Sequence, residues 1–170
     1  LVGSEMCIRD RFLQVYGRMR DPLNGLYYHA YDDSRQMFWC DKVTGLSENF
    51  WLRAMGWYAM ALIDTMEVMP ESMACQKARL NAIYKELIDA MLPYQDQATG
   101  MWYQVVNRGG IAPNYLEESG SAIFAYAIMK SVRLHYLPEE YFKYGQKAFD
   151  GICSTYLSCL LYTSPSPRDY

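Results

Sequence analysis

Apolar residues recur at three- and four-residue spacing along most of this chain, and the recurrence predicts helices separated by turn-rich segments. The clearest runs from Ser47 to Met69, SENFWLRAMGWYAMALIDTMEVM. Phe50, Ala54, Trp57, Met60 and Ala61 form one stripe, and Trp51, Ala54, Tyr58, Leu62 and Thr65 a neighbouring one. A helix apolar most of the way round is expected to sit between other helices. Ser47 suits an N-cap, Glu48 suits the first turn, and Pro70 marks the end. A second helix is predicted from Glu71 to about Leu92, with Ala78, Ile83, Leu87, Ile88 and Met91 inward and Lys77, Lys85 and Glu86 wet. A third spans Ser119 to Leu137 through Ile123, Phe124, Ala127, Ile128 and Leu134. Pro138-Glu139-Glu140 opens a last helix to about Leu157. Phe12 to Arg20 reads as the end of an earlier one.

The intervening segments carry their own signals. Asp21-Pro22-Leu23-Asn24-Gly25 is a turn, with Gly25 free to take positive φ, and Leu26 to Tyr31 is short, aromatic and extended or irregular. Asp32 to Leu46 reads as an ordered loop holding Phe38 and Trp39, with a further turn at Lys42 to Gly45. Asp96 to Gly100 is another turn, Met101 to Val106 resembles a short strand, and Asn107 to Asn114 is loop. Asp21 to His29 matches Asp96 to Gln104, 75 positions further on, and an apolar helix and then a more polar one follow each copy. Such a repeat predicts stacked α-hairpins, as a solenoid or a closed toroid, with the inserted loops gathered on one binding face.

Composition narrows the chemistry. The 170 residues allow one domain, and 51% hydrophobic content suits a globular core. Aromatic residues reach 15%, compatible with a ligand cleft as well as with core filling. A net charge of -3 and the lack of a basic stripe argue against nucleic acid. No apolar run reaches a membrane span of about 18 residues or more. Cys40, Cys75 and Cys153 form no CxxC pair, and the histidines are His29 and His135, so neither a disulfide framework nor a metal site is expected.

Both ends read as foreign. Leu1 to Arg11 (LVGSEMCIRDR) and Cys159 to Tyr170 (CLLYTSPSPRDY) resemble translated sequencing-adapter read-through, as found at the ends of reading frames assembled from environmental DNA. On that reading residues 12–158 are an internal piece of a longer protein, and residues 1–11 and 159–170 are non-native.

Arg53 is the chemical anomaly. It lies between Trp51 and Trp57 among apolar neighbours, where an arginine is expensive to bury without an anion. Its guanidinium fork suits a carboxylate, and tryptophan faces suit a sugar ring or the cation. A snorkelling arginine beside structural tryptophans explains the same spacing.

Four stretches carry a resemblance: DPLNGLYYHAYDD, TGLSENFWLRAMGWYAMALIDTM, YQDQATGMWYQV and NYLEESGSAIFAYAIMKSVR. They resemble glycoside hydrolase family 105, the unsaturated rhamnogalacturonyl hydrolases, related to the unsaturated glucuronyl hydrolases of family 88. The resemblance covers nearly all of Phe12 to Leu157. It implies an all-α fold, a partial (α/α)6 barrel of about five helices. It also implies removal of a 4,5-unsaturated uronic acid from an oligosaccharide by hydration of its vinyl ether.

The pocket motif Trp-x-Arg-x-x-x-Trp of that family falls on Trp51, Arg53 and Trp57, and its pocket histidine on His29. A lone histidine among tyrosines reads by itself as structural, so His29 enters through the resemblance. Glu117, within NYLEES, is the further pocket candidate. By spacing alone Asp32, Asp33, Asp41, Glu118 and Glu117 itself read as turn, cap or solvated residues, so Glu117 too enters through the resemblance. The family's catalytic aspartates are expected upstream of this chain, so no catalytic residue is assigned within it and the chain alone is expected to be inactive. No cofactor, metal or protein partner is implied. The compartment is expected to be cytoplasmic, or else periplasmic; the motif set leans towards a galacturonyl group from rhamnogalacturonan, without settling it against glucuronyl. Two alternatives share the helix pairs: another α/α-barrel sugar enzyme, such as an epimerase relying on paired histidines, and a non-catalytic helical-repeat binding module.

Overall fold

The structure, a computed structural model, describes residues 2–157, with side chains from Cys7 onward. The adapter-like stretch Cys159 to Tyr170 lies outside the described residues. Five α-helices follow in order: α1 (Val2–Met19), α2 (Leu52–Val68), α3 (Ala74–Met91), α4 (Glu118–Arg133) and α5 (Phe142–Tyr156). Single 3-10 turns at Glu71–Met73, Leu92–Tyr94, Val106–Arg108 and Glu139–Tyr141 join or precede them. None is long and apolar enough to cross a membrane.

The helices work in pairs. α2 packs on α3, α4 packs on α5, and α2 and α4 lie side by side, with α1 against α3. α2 and α4 point the same way. Trp51, just before α2, bridges to Val105 in the segment leading to α4, while Tyr136, just after α4, donates to the carbonyl of Met66 near the end of α2. The core between them holds Leu52, Met55, Ala59, Leu62, Ile63 and Met66 of α2, Leu80, Tyr84, Leu87, Ile88 and Met91 of α3, and Phe124 and Ile128 of α4. Each is at most 1% exposed, so these side chains supply most of the hydrophobic driving force.

The inserted loops share one device, and it occurs three times. In each copy an aspartate N–H donates to the carbonyl five residues on, and a glycine N–H donates back to the aspartate carbonyl. The copies are Asp21 to Leu26, Asp41 to Leu46 and Asp96 to Met101, with bonds of 2.8–2.9 Å. The glycines, Gly25, Gly45 and Gly100, sit at φ 76°, 80° and 75°, a region that a Cβ disfavours. Each aspartate side chain accepts from backbone N–H groups within its own turn: Leu23, Val43 and Thr44, and Thr99. The sequence repeat showed two copies, and the third was read only as a turn.

Several expectations are corrected. Ser47 does not cap α2, which begins at Leu52 with no side-chain cap at Trp51. Ser47 is instead buried, and its hydroxyl accepts the N–H of Ala30. Glu48 lies outside the helix and pairs with Arg108 at 2.9 Å. α2 is buried along one stripe only, although its apolar residues run most of the way round: Trp57 and Ala61 are exposed, and the buried stripe runs through Leu52, Met55, Gly56, Ala59, Leu62, Ile63 and Met66. Ala78 is exposed, whereas Leu80 and Tyr84 join the core. Met101 to Val106 makes isolated bridges, Trp51 to Val105 and Tyr103 to Leu116, but no named strand. α4 stops at Arg133, and His135 sits past its end, exposed, at φ 60°.

Candidate functional site

The site forms where α2 and α4 begin. The segment Trp102 to Val105 braces the two starts. Leu52 N–H donates to the Gln104 carbonyl and Glu117 N–H to the Trp102 carbonyl, both at 2.9 Å. Val106 N–H donates to the Phe50 carbonyl at 3.0 Å. Trp102 is fully buried against Phe124, and its indole N–H reaches the Met91 carbonyl at 2.9 Å. The brace is therefore anchored in the core, and it fixes Arg53 on α2 relative to Glu117 at the start of α4.

Arg53 and Glu117 meet as an ion pair, with Nε 3.0 Å from Oε1. The Arg53 side chain is 39% exposed and that of Glu117 only 5%. The guanidinium carbon lies 4.5 Å from the centroid of the Trp51 ring, a cation–π contact. His29 meets the same ring edge-on at 4.8 Å, and its backbone N–H donates to the Asn49 carbonyl. Ser119 donates its hydroxyl to Glu117 Oε1 at 3.0 Å. Burial pushes the Glu117 carboxyl above its ordinary range, and the Ser119 hydroxyl and the Arg53 cation pull partly against that shift. Glu117 Oε2 and the indole nitrogen of Trp51 are buried without a hydrogen-bond partner among the described residues.

Thus His29, Trp51, Arg53 and Glu117 form one contact chain. Trp57 stands apart from it, 57% exposed and one turn further along α2 from Arg53. The other acids are occupied elsewhere. Asp32 accepts from the backbone of Ser34, Gln36 and Met37, which holds its carboxyl well below the usual carboxylate range. Asp33 takes Arg18 and the Tyr31 hydroxyl, and Asp41 closes its own turn. Sequence reasoning missed Ser119 and the bracing segment. Ser119 follows Glu117 by two residues in the quoted NYLEES stretch, whereas the brace has no local signature because its partners are distant backbone groups. His135 follows α4, and α4 spans about 24 Å at the usual helical rise, so it lies at the far end from His29. A paired-histidine chemistry is not assembled here. A spacious groove of about 1550 Å³ runs along α5 past His135, Tyr136 and Phe142, and it includes none of these site residues.

Comparison with known proteins gives the family and the fold. The model of a family described as Glycosyl Hydrolase Family 88 matches residues 6–158. A protein of Agrobacterium fabrum is 42% identical over 116 residues, covering 68% of this chain and 48% of the relative. The unsaturated rhamnogalacturonyl hydrolase YesR of Bacillus subtilis is 31% identical over 158 residues, covering 89% of this chain and 40% of the relative. Among solved structures, a family 105 glycoside hydrolase of C. acetobutylicum superposes with a TM-score of 0.85 at 41% identity, over 88% of this chain and 41% of that one. A possible family 105 member from Klebsiella pneumoniae gives 0.72 at 26%, over 88% and 36%. The chain thus spans less than half the length of these relatives. Its five helices are an arc of the helical barrel seen in these neighbours, a partial (α/α)6 toroid rather than an open solenoid.

Proposed function

The chain belongs to glycosyl hydrolase family 88, and on that premise we propose that it is the uronate-binding part of a hydrolase acting on unsaturated oligosaccharides. The substrate is a 4,5-unsaturated uronic acid at an oligosaccharide end, galacturonyl from rhamnogalacturonan, in line with the name of the Bacillus relative. The reaction is hydration of the vinyl ether. A proton goes to C4, water adds at C5, and the resulting hemiketal opens and releases the remaining sugar. This chain's residues bind and orient. Arg53 takes the uronate carboxylate with the guanidinium N–H groups left open by Glu117. Trp51 and Trp57 offer ring faces to the sugar, and His29 donates to a hydroxyl.

The observation that carries this reading is the half-open guanidinium of Arg53, backed on one face by Trp51 and on its Nε edge by Glu117. A cation held this way can receive a planar carboxylate without reorganising. The proton donor is assigned to no residue of this chain. Asp21, Asp32, Asp41 and Asp96 are committed to their own turns, and the chain spans under half of its relatives.

The test uses the unsaturated galacturonyl-rhamnose disaccharide. The chain is expected to bind it, read as a change in tryptophan fluorescence, and not to turn it over. Arg53→Lys, which loses the planar fork, is expected to bind about tenfold more weakly or worse. Turnover by this chain refutes the absence of a proton donor. Unchanged binding by Arg53→Lys refutes the assigned carboxylate site.

A further inference from the structure

We propose that Glu117 is a positioning residue, which sets the plane and the open edge of Arg53 and does not itself touch the sugar. The inference rests on the uronate-binding reading above and deepens it. The geometry separates the two roles. Arg53 is 39% exposed while the Glu117 side chain is 5% exposed, so a ligand arriving from solvent meets the cation and not the carboxylate behind it. Oε1 lies 3.0 Å from Arg53 Nε and also receives the Ser119 hydroxyl at 3.0 Å. Oε2 faces Gly120, where an added Cβ would lie 3.0 Å from it. Both oxygens are therefore engaged or covered from within the protein.

Arg53 is left with few choices of orientation. The Trp51 ring lies 4.5 Å from its guanidinium carbon and limits tilting. The Glu117 charge at Nε fixes which edge turns inward. A guanidinium carries five N–H donors in one plane, so turning the Nε edge inward leaves the two terminal amino groups as an outward fork. Glu117 is itself held at the start of α4 by its N–H bond to the Trp102 carbonyl, so the direction of the fork is inherited from the brace between α2 and α4. An acidic residue this close to an anion site would repel the ligand if it shared the site's surface. Behind the arginine it orders the cation at lower cost to the anion.

The test separates this role from direct contact and from the identity of the sugar. Side-chain 15N relaxation of Arg53 Nε, assigned by its loss in Arg53→Lys, reports guanidinium rigidity in the ligand-free chain. The wild-type signal is expected to be rigid. In Glu117→Gln, which keeps the shape and removes the charge, it is expected to become mobile, with binding of the unsaturated galacturonyl-rhamnose disaccharide about tenfold weaker. Glu117→Asp, which keeps the charge on a shorter arm, is expected to fall between the two on both readouts, and it serves as the second variant if Glu117→Gln fails to fold. Weaker binding with Arg53 still rigid overturns the proposal, because Glu117 then contacts the sugar. A mobile Arg53 with unchanged affinity overturns it too. If the wild-type chain ignores the disaccharide while Arg53 loosens as described, the positioning role stands and the uronate reading fails.

Discussion

At the scale of single residues, the site depends on what stands behind the exposed groups. Gly120 shows this best. A Cβ there would lie 2.5 Å from Leu52 Cγ, 2.7 Å from its Cδ2 and 3.0 Å from Glu117 Oε2. Leu52 is fully buried at the start of α2, so it has no free space to yield. Gly120→Ala is therefore expected to destabilise the fold by about 1–3 kcal/mol, the usual cost of overpacking. A denaturant midpoint measures it. The substitution is also expected to weaken disaccharide binding, because it pushes on both Leu52 beside Arg53 and on the carboxylate that faces it. A wild-type midpoint would show that α2 and α4 are not as close here as the structure has them.

At the scale of elements, carboxylates held inside the loops govern how stability responds to pH. The Asp32, Asp33, Asp41 and Asp96 carboxyls all lie below their usual value of 3.8, chiefly through hydrogen bonds within their own loops, with Arg18 also on Asp33. A carboxyl lowered by folding stabilises the native state above its unfolded value and loses that contribution as pH falls through the folded one. Glu117 has the opposite sign. Its raised carboxyl favours folding most fully below 4.5, and that contribution declines as pH rises through the folded value. Among the shifted carboxyls of the described residues four are lowered and one is raised, so stability is expected to fall as pH drops below about 3.8. Asp96→Asn, which cannot ionise, is expected to lie below wild type at pH 6 and to approach it near pH 3. Urea midpoints at the two pH values decide this. An equal gap at both would mean that the Asp96 turn draws nothing from its charge.

At the scale of the whole molecule, the chain presents an arc whose side surfaces are apolar in places. Trp57 and Tyr126 are 57% and 45% exposed on α2 and α4, and Phe142 and Phe149 are 40% and 51% exposed on α5. Large apolar side chains left open in this number favour association. The chain is expected to self-associate at micromolar concentration and to melt with low cooperativity, as read by sedimentation velocity and calorimetry. A monomer with a single sharp transition would show that these open apolar side chains do not drive association.

Much of this was legible from residue order alone, because helices and turns are specified by nearby residues. The amphipathic spacing predicted α3, α4 and α5 to within a few residues at most ends. Gly25 announced a left-handed turn, since few other residues occupy that conformation without strain. The family motifs pointed to Arg53 and its tryptophans before any geometry was known. What residue order left open is what depends on distant partners. Ser47 has the chemistry of a cap, but Ala30 claims its hydroxyl, and the brace from Gln104 starts α2 at Leu52 instead. Trp57 shares the helical spacing of a core residue yet faces outward, because α3 and α4 cover only one side of α2. Glu117 looked like one more pocket acid. Only the packing of α4 beside α2 buried it behind Arg53, and the proposed positioning role rests on that burial rather than on its position in the chain.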